Sequence, residues 1–427
     1  MSKRKNVSEQ NSKIKNTKIY NTLIENASMN EIDYFNNLSP ETQNIIIDDL
    51  TMLKNISENN TPYRIQLLSK RCSLQFKIVA LKKISIYEKM ESDDSEYNKL
   101  KQWIESFLTI PFDTHKQLPV SIEDGPTECL NYIENCKDIL NNTVYGLNDA
   151  KMQIMQIVGQ WMANPKSIGN AIGLKGPMGT GKTTLISKGV SKMLQRDFAF
   201  ITLGGASDGS FLEGHSYTYE GSTYGRIVDI LIQCKSTNPI IFFDELDKVS
   251  ESHKGDEIIG ILTHLIDSTQ NAEFHDKYFS EIHIDISKCL FIFSYNDETK
   301  ISPILRDRMY TIETIGYSIK DKIIISKNFI IPAIEKEINI KPGYIIFSDT
   351  IIEHIIEHTK EEQGVRNLKR NLETIFSKIN LYRLLKPNTS LFDNKIINIQ
   401  FPYTLTKEFI HEILPTKPCQ NFLHMYC

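Results

Sequence analysis

The sequence predicts an α/β fold: a parallel sheet layered between helices (αβα) around a phosphate-binding loop, preceded by a helical N-terminal domain. Three observations predict it. The stretch Gly176-Pro-Met-Gly-Thr-Gly-Lys182-Thr183-Thr184 fits the pattern G-x-x-x-x-G-K-[ST]. Downstream, Pro239-Ile-Ile-Phe-Phe-Asp244-Glu245 is an unbroken apolar run ending in two carboxylates, as expected of a parallel strand buried on both faces with polar groups at its C-terminal end. Around these motifs strand-like and helix-like segments alternate: Phe198 to Leu203, Tyr224 to Ser236, Pro239 to Phe243, Glu257 to Asp267 and Cys289 to Ser294.

Each part of the loop has a chemical reason. Gly176, Pro177, Met178, Gly179, Thr180 and Gly181 let successive backbone N–H groups point inward around phosphates, and a helix beginning near Lys182 adds the positive end of its dipole. Lys182 is expected to reach the β and γ oxygens of ATP and the Thr183 hydroxyl to coordinate Mg²⁺, with Thr184 closing the motif. Asn170-Ala-Ile-Gly-Leu-Lys reads as a strand before the loop, and Leu185, Ile186, Val190, Met193 and Leu194 share one helical face after it. Asp244 is expected to hold Mg²⁺ through water, and Glu245 to polarise the attacking water. The bland alternative, two carboxylates capping a loop, leaves the upstream motif unexplained.

Composition sets the frame for the rest. At 427 residues, with 40% hydrophobic and 24% charged, the chain is ordinary for a globular protein. No apolar stretch approaches a membrane span, and the N-terminus lacks the apolar core of a signal peptide, so an intracellular, cytoplasmic protein without a membrane partner is expected. The seven cysteines are scattered, with no C-x-x-C pair and no Cys/His spacing suited to zinc. A formal net charge of -4 argues against a globally basic nucleic-acid binder while permitting local patches.

Up to Lys18 the chain holds Lys3, Arg4, Lys5, Lys13, Lys15 and Lys18 against Glu9 alone, in an Asn/Ser-rich background. Residues 1–60 are expected to be a basic polar tail, largely disordered, with short helices over 19–60 as the alternative. A solvated terminus outweighs contact with nucleic acid or an address signal. Residues 61–143 are expected to form a helical N-terminal domain and linker. From Pro62 to about Met90 no glycine or further proline interrupts a helical pattern, and Leu100, Trp103, Ile104, Phe107 and Leu108 lie on one helical face. That stripe reads as core. Glycines and prolines from Pro111 to Pro126 mark the linker, and the nucleotide domain is expected to start at 144, beside Tyr145-Gly146-Leu147.

At this point the sequence resembles a family. Leu203-Gly204-Gly205, Gly214-His215, Tyr217-Thr-Tyr219, Gly221 and Gly225-Arg226-Ile227 look like segments of the ATPase module of Lon proteases, within the AAA+ superfamily. Asp267-Ser-Thr-Gln270-Asn271, with Phe274, Asp276 and Tyr278, resembles that family's D-P-x-Q-N-x-x-F-x-D-x-Y, with Ser268 in place of its proline. Leu305-Arg306-Asp307-Arg308-Met309 resembles its arginine-finger motif, and Gly364-Val365-Arg366-Asn367-Leu368 its second sensor. Trp103 through Pro111-Phe112 is similar to the helix and turn that precede the module.

The resemblance implies a AAA+ large domain over 144–316, a small helical lid over 317–414 and a C-terminal tail over 415–427. It also implies roles. Tyr145 would lie against adenine, with domain-entry packing as its bland alternative. Asn296, ending a strand, would orient the lytic water as a first sensor. Arg308 would reach the γ-phosphate of a neighbouring subunit, which implies a ring, most simply a homo-hexamer. Arg366 would contact phosphate within its own subunit. Tyr219 would grip polypeptide in the pore by area burial, although Glu220 stands where the family has an aliphatic residue. The glycines at 204, 205, 209, 214 and 221 are expected to keep that loop mobile.

The chain ends soon after Ile413-Leu414, where the family continues into a Ser/Lys peptidase domain, so no intrinsic peptidase is expected; a separate peptidase or adaptor would be a partner. The expected function is an ATP-hydrolysing motor that remodels or unfolds protein substrates. The rivals are a nucleic-acid motor or DNA-packaging accessory, supported only by the Lys-rich tail, and a nonhydrolysing scaffold, opposed by the intact set Lys182, Asp244, Glu245, Asn296 and Arg308. Heavy use of Ile, Asn and Lys suggests an AT-rich genome, as in some large DNA viruses, which would place the protein in host cytoplasm or virion.

Overall fold

The computed structural model describes residues 14–414 apart from 25–28, 58–60, 92, 95, 166, 168, 170, 207, 220, 251, 385–398 and 400. The chain separates into two compact units, one made of residues up to 70 with 80–104, the other of 71–79 with 105–427.

The first unit is helical. Residues 14–23, Met29–Asn37 and Pro40–Ser57 form helices whose apolar faces meet at Tyr20, Phe35 and Ile47, the first two rings stacked 4.1 Å apart. Gln43 donates to the Phe35 carbonyl at 2.7 Å and Asn16 to Asn44 at 2.8 Å, so the polar groups drawn into this small core are paired. The expectation of a largely disordered stretch through residue 60 is therefore corrected for residues 14–24 and 29–57. Abundant Asn and Lys lower the mean hydropathy, yet one apolar face per helix is enough to bury a core. Residues 1–13, which carry Lys3, Arg4, Lys5 and Lys13, lie outside the described residues. Further on, Tyr63–Ser69 forms a helix, and Leu100, Trp103 and Ile104 are buried as their spacing predicts, with Lys83 placed 4.7 Å over the Trp103 ring.

In the second unit a five-stranded, all-parallel sheet has the order β2-β3-β6-β1-β7, where β1 is Ala171–Lys175, β2 Phe198–Thr202, β3 Ile240–Asp244, β6 Leu290–Tyr295 and β7 Tyr310–Glu313. The two intervening strands, β4 (Phe274–His275) and β5 (His283–Ile284), form a separate antiparallel pair. β3 and β6 run side by side in register, Phe243 opposite Phe293 with rings stacked at 4.8 Å. Alternate residues Ile240, Phe242, Leu290 and Ile292 join one core with the helices Pro126–Thr143, Asn148–Ala163 and the helical run from Lys182 to Leu194. Ile241, Phe243, Phe291 and Phe293 point to the opposite face and are equally buried.

Two boundaries differ from expectation. The helix Pro126–Thr143, assigned above to the N-terminal region, packs Tyr132, Cys136 and Leu140 into the core of the nucleotide domain, four residues apart and so on one face. The supposed linker ahead of it is strapped to the start of β3: Thr237 donates to the Thr114 carbonyl at 2.8 Å, and Asn238 both donates to and accepts from the Lys116 backbone at 2.9 Å.

After β7 the chain turns helical. Ile319–Ile325 continues through a wider turn into Ile331–Glu337, followed by Asp349–His358, Arg366–Leu384 and Lys407–Ile413, around a core of Ile352, Ile355, Leu372, Ile375, Phe376 and Ile410. Among the described residues no helix is long and apolar enough to cross a membrane.

Candidate nucleotide site

The sheet order places three strand ends side by side. β1 runs into the loop 176–181, neighbouring β6 delivers Asn296, and β3, next to β6, delivers Asp244 and Glu245. These ends open on a cavity of about 330 Å³ lined by the loop from Met178 to Thr184, Asp244, Glu245, Asp247, Ser294, Tyr295, Asn296 and Arg366. An adjoining cavity of about 280 Å³ shares Gly179, Thr180, Gly181, Thr184 and Arg366 and is walled by Val144, Tyr145, Tyr317, Ile325, Phe329 and Val365. A polar chamber beside a largely apolar one suits a phosphate chain attached to a planar base.

The loop is shaped by glycines whose conformation no other residue adopts cheaply. Gly176, Gly179 and Gly181 have φ of 149°, 80° and 90°, and a Cβ on Gly176 would stand 2.0 Å from the Thr314 hydroxyl. Lys182, 8% exposed, folds back onto the loop, its ammonium bonded to the Gly176 carbonyl and, at 3.1 Å, to that of Pro177. Burial pulls its pKa from 10.5 down to about 8, partly opposed by Asp244 and then Asp247.

Asp244 accepts from the Ser294 hydroxyl of β6, which fixes its carboxylate toward the cavity. Glu245 sits in the left-handed region at φ 61°, ψ 44°, turning its side chain out of the strand direction, and pairs with Lys248. A Cβ on Gly204 would stand 2.2 Å from the Glu245 carboxylate and would make it swing aside. A Cβ on Gly209 would meet Glu257 and Ile261 and one on Gly214 would meet Gly225 and Asp276, while Gly205 and Gly221 are open.

Asp247 was not anticipated. One carboxylate oxygen accepts from the backbone N–H groups of Asn296 and Asp297 at 3.3 and 3.2 Å, and the other is buried beside the loop lysine with no hydrogen-bond partner among the described residues. It therefore ties β3 to β6 at the strand ends and leaves an orphaned acceptor in the chamber, where a hydrated cation or water would satisfy it. Thr183 and Asp244 line the same chamber, so the donor set fits Mg²⁺ accompanying a nucleotide. Tyr145, expected against adenine, lines the apolar chamber, but its hydroxyl lies 3.1 Å from Asp321 and its ring packs on the lid core.

Arg308 is not brought into this chamber. Its Nε donates to Asp267 at 3.1 Å and its Nη1 to the Ile304 carbonyl at 3.1 Å, on an exposed surface. Asp267, held to about 2 chiefly by the Thr269 hydroxyl and backbone and then by Arg308, is a fully ionised partner. Tyr219 is 68% exposed on the loop between Gly214 and Gly225; Glu220 lies outside the described residues. Asp276 pins the base of that loop, accepting from Gly225 N–H at 2.7 Å and Tyr278 N–H at 2.8 Å, and burial lifts its carboxyl to about 7.

Comparison with known proteins agrees with this geometry. Residues 172–317 match the family of ATPases associated with various cellular activities, AAA, and residues 336–390 match the Lon protease AAA+ ATPase lid domain. A Lon protease homolog of Acanthamoeba polyphaga mimivirus is 38% identical over 351 residues, 78% of this chain and 34% of its own length. The mitochondrial Lon protease homolog of Schizosaccharomyces pombe is 33% identical over 69% of this chain and 26% of its own, and Lon protease 2 of Borreliella burgdorferi 32% over 76% and 39%. The chain thus spans about a quarter to two-fifths of the relatives it matches. With the nucleotide module and the lid both matched in order, the chain belongs to the Lon-like AAA+ ATPases.

Proposed function

We propose that this chain binds ATP with Mg²⁺, hydrolyses it, and uses the cycle in a ring, most simply a homo-hexamer, to remodel or unfold protein substrates. The observation that carries the proposal is convergence: Lys182, Asp244, Glu245, Asn296 and Arg366, drawn from three strand ends and the lid, share one chamber. The magnesium ion would supply charge neutralisation between phosphate oxygens, held by Thr183 and Asp244. Lys182 leaves the Gly176 and Pro177 carbonyls for phosphate oxygens. Glu245 accepts a hydrogen bond from the attacking water and Asn296 orients it. Arg366 meets phosphate from the lid side.

Arg308, outside its own chamber and exposed, is free to serve a neighbouring subunit after releasing Asp267. Exposed Tyr219 supports the polypeptide-gripping part of the proposal. The relatives are named as Lon proteases, which makes protein the substrate class of choice.

The test is ATP hydrolysis by the purified chain, alone and with an unfolded protein or with DNA, using Glu245→Gln as the inactive control and assaying substrate cleavage alongside. Stimulation by unfolded protein supports the motor. Stimulation by DNA alone moves the assignment to a nucleic-acid motor, and hydrolysis no greater than that of Glu245→Gln at ring-forming concentrations leaves a scaffold.

A further inference from the structure

Away from the nucleotide chamber, three histidines meet on the lid. His354 and His358 stand four residues apart on the helix Asp349–His358 and so share a face, and His411 comes from the helix Lys407–Ile413 packed beside it. A ring nitrogen of each lies within 4.8 Å of those of the other two. His354 Nε2 and His411 Nε2 are 3.3 Å apart. Two nitrogens bound at the usual zinc distance to one tetrahedral ion stand about 3.3 to 3.4 Å apart, so this pair already has the spacing of a shared ligand edge.

Two of the other ring nitrogens face oxygen atoms, as the outer nitrogens of metal-binding imidazoles do. His358 Nδ1 lies 2.9 Å from the His354 carbonyl, to which it donates, leaving Nε2 as the acceptor. His354 Nδ1 faces the Glu357 carboxylate at 3.7 Å. The rings meet at interplanar angles of 56°, 72° and 79°, edge-on or tilted, so face-to-face stacking does not explain the cluster. A proton shared between His354 and His411 would satisfy two rings and leave His358 Nε2 unaccounted for.

We propose that His354, His358 and His411 form a binding site for a divalent transition-metal ion of the zinc class, with water in the fourth position, that clamps the helix Lys407–Ile413 to the helix Asp349–His358. An all-imidazole set selects zinc, copper or nickel over magnesium or calcium, so the site does not compete for the Mg²⁺ of the nucleotide. Its occupant stabilises the lid by binding the folded arrangement alone.

The experiment uses the full chain without an affinity tag, stripped with a chelator, and titrated with Zn²⁺ and separately with Co²⁺. Expected are one equivalent bound, the intense visible bands of tetrahedral cobalt, and a rise in Tm on adding Zn²⁺. His411→Gln, at an exposed position, and His358→Gln should each weaken binding by more than the roughly 10–100-fold that losing an outer partner costs, and abolish the cobalt bands. Binding of equal strength in both variants would assign the ion to other groups and overturn the proposal. So would an absence of saturable binding, or only the pale spectrum of octahedral cobalt.

Discussion

Lys182 gives the nucleotide chamber a measurable pH signature. Its ammonium is buried against two carbonyls and has a pKa of about 8 when no phosphate is present. Paired with a triphosphate it would return to the ordinary lysine range, so ATP binding above pH 8 must take up a proton. From pH 7 to pH 9 the charged fraction of the free lysine falls from about nine-tenths to about one-tenth, which predicts about tenfold weaker ATP binding, ~1.4 kcal/mol. The sign is fixed: affinity is full below pH 8 and declines above it, because only the cation pairs with phosphate. The assay is equilibrium binding of a fluorescent ATP analogue with Mg²⁺ to the Glu245→Gln chain, which removes turnover. Lys182→Arg is the control; its guanidinium stays charged, so its profile should be flat even if binding is weaker overall. An affinity that changes less than about twofold across this range, or an equal slope in Lys182→Arg, refutes the assignment of Lys182.

Three further outcomes are expected. Gly364→Ala places a Cβ 2.2 Å from the Met178 carbonyl and must push the lid off the phosphate loop, so nucleotide affinity should fall at least as far as in Arg366→Ala, by about tenfold, read by the same binding assay. Asp276→Asn turns one accepting oxygen into a donor facing a buried N–H, so the chain should lose about 1–3 kcal/mol in chemical denaturation, with the 214–225 loop the first segment to exchange amide hydrogens. Arg308→Ala and Glu245→Gln should each be inactive alone, yet a 1:1 mixture should recover about a quarter of full ATPase activity, since a site needs Glu245 from one subunit and Arg308 from the next. A mixture no more active than its components would show that Arg308 does not act across an interface.

The parts of the site that were legible in the sequence are those made by short contiguous segments. Gly176 to Thr184 and Ile240 to Glu245 announce themselves because strand, turn and chemistry share one stretch, and the parallel sheet follows from their spacing. Asp247 was missed although it stands two residues past Glu245: its importance comes from a bond to Asn296, supplied by another strand. The need for glycine at 364 could not be read either, because the approach of the Met178 carbonyl exists only in three dimensions. The N-terminal core escaped notice for a compositional reason. Tyr20, Phe35 and Ile47 are contributed one per helix, and the Asn- and Lys-rich composition around them masks faces that only meet in three dimensions. The histidines repeat the lesson: His354 and His358 show a ligating spacing, but the third ring arrives from a different helix.

How nucleotide state would reach the lid can be followed through backbone atoms. Val365 N–H donates to the Gly179 carbonyl at 3.1 Å, at the apex of the phosphate loop, and Gly364 allows that approach by having no side chain. The Tyr317 hydroxyl lies 2.7 Å from the Thr180 carbonyl and 3.0 Å from that of Tyr145, while its own N–H donates to Gln363 at 2.8 Å. Glu362 then accepts from the N–H groups of Asn367 and Leu368, both at 2.9 Å, capping the helix that begins at Arg366. Loop, turn and helix thus form one continuous hydrogen-bonded chain from Gly179 to Leu368. A change in the direction of the Gly179 carbonyl on phosphate binding cannot be absorbed by a flexible side chain along this route, because the first link is backbone to backbone. While that link holds, such a change would tilt the helix Arg366–Leu384, on which the lid core of Leu372, Ile375 and Phe376 is built. Arg366, first in that helix and proposed to meet phosphate, directly follows Val365, whose N–H holds the loop carbonyl.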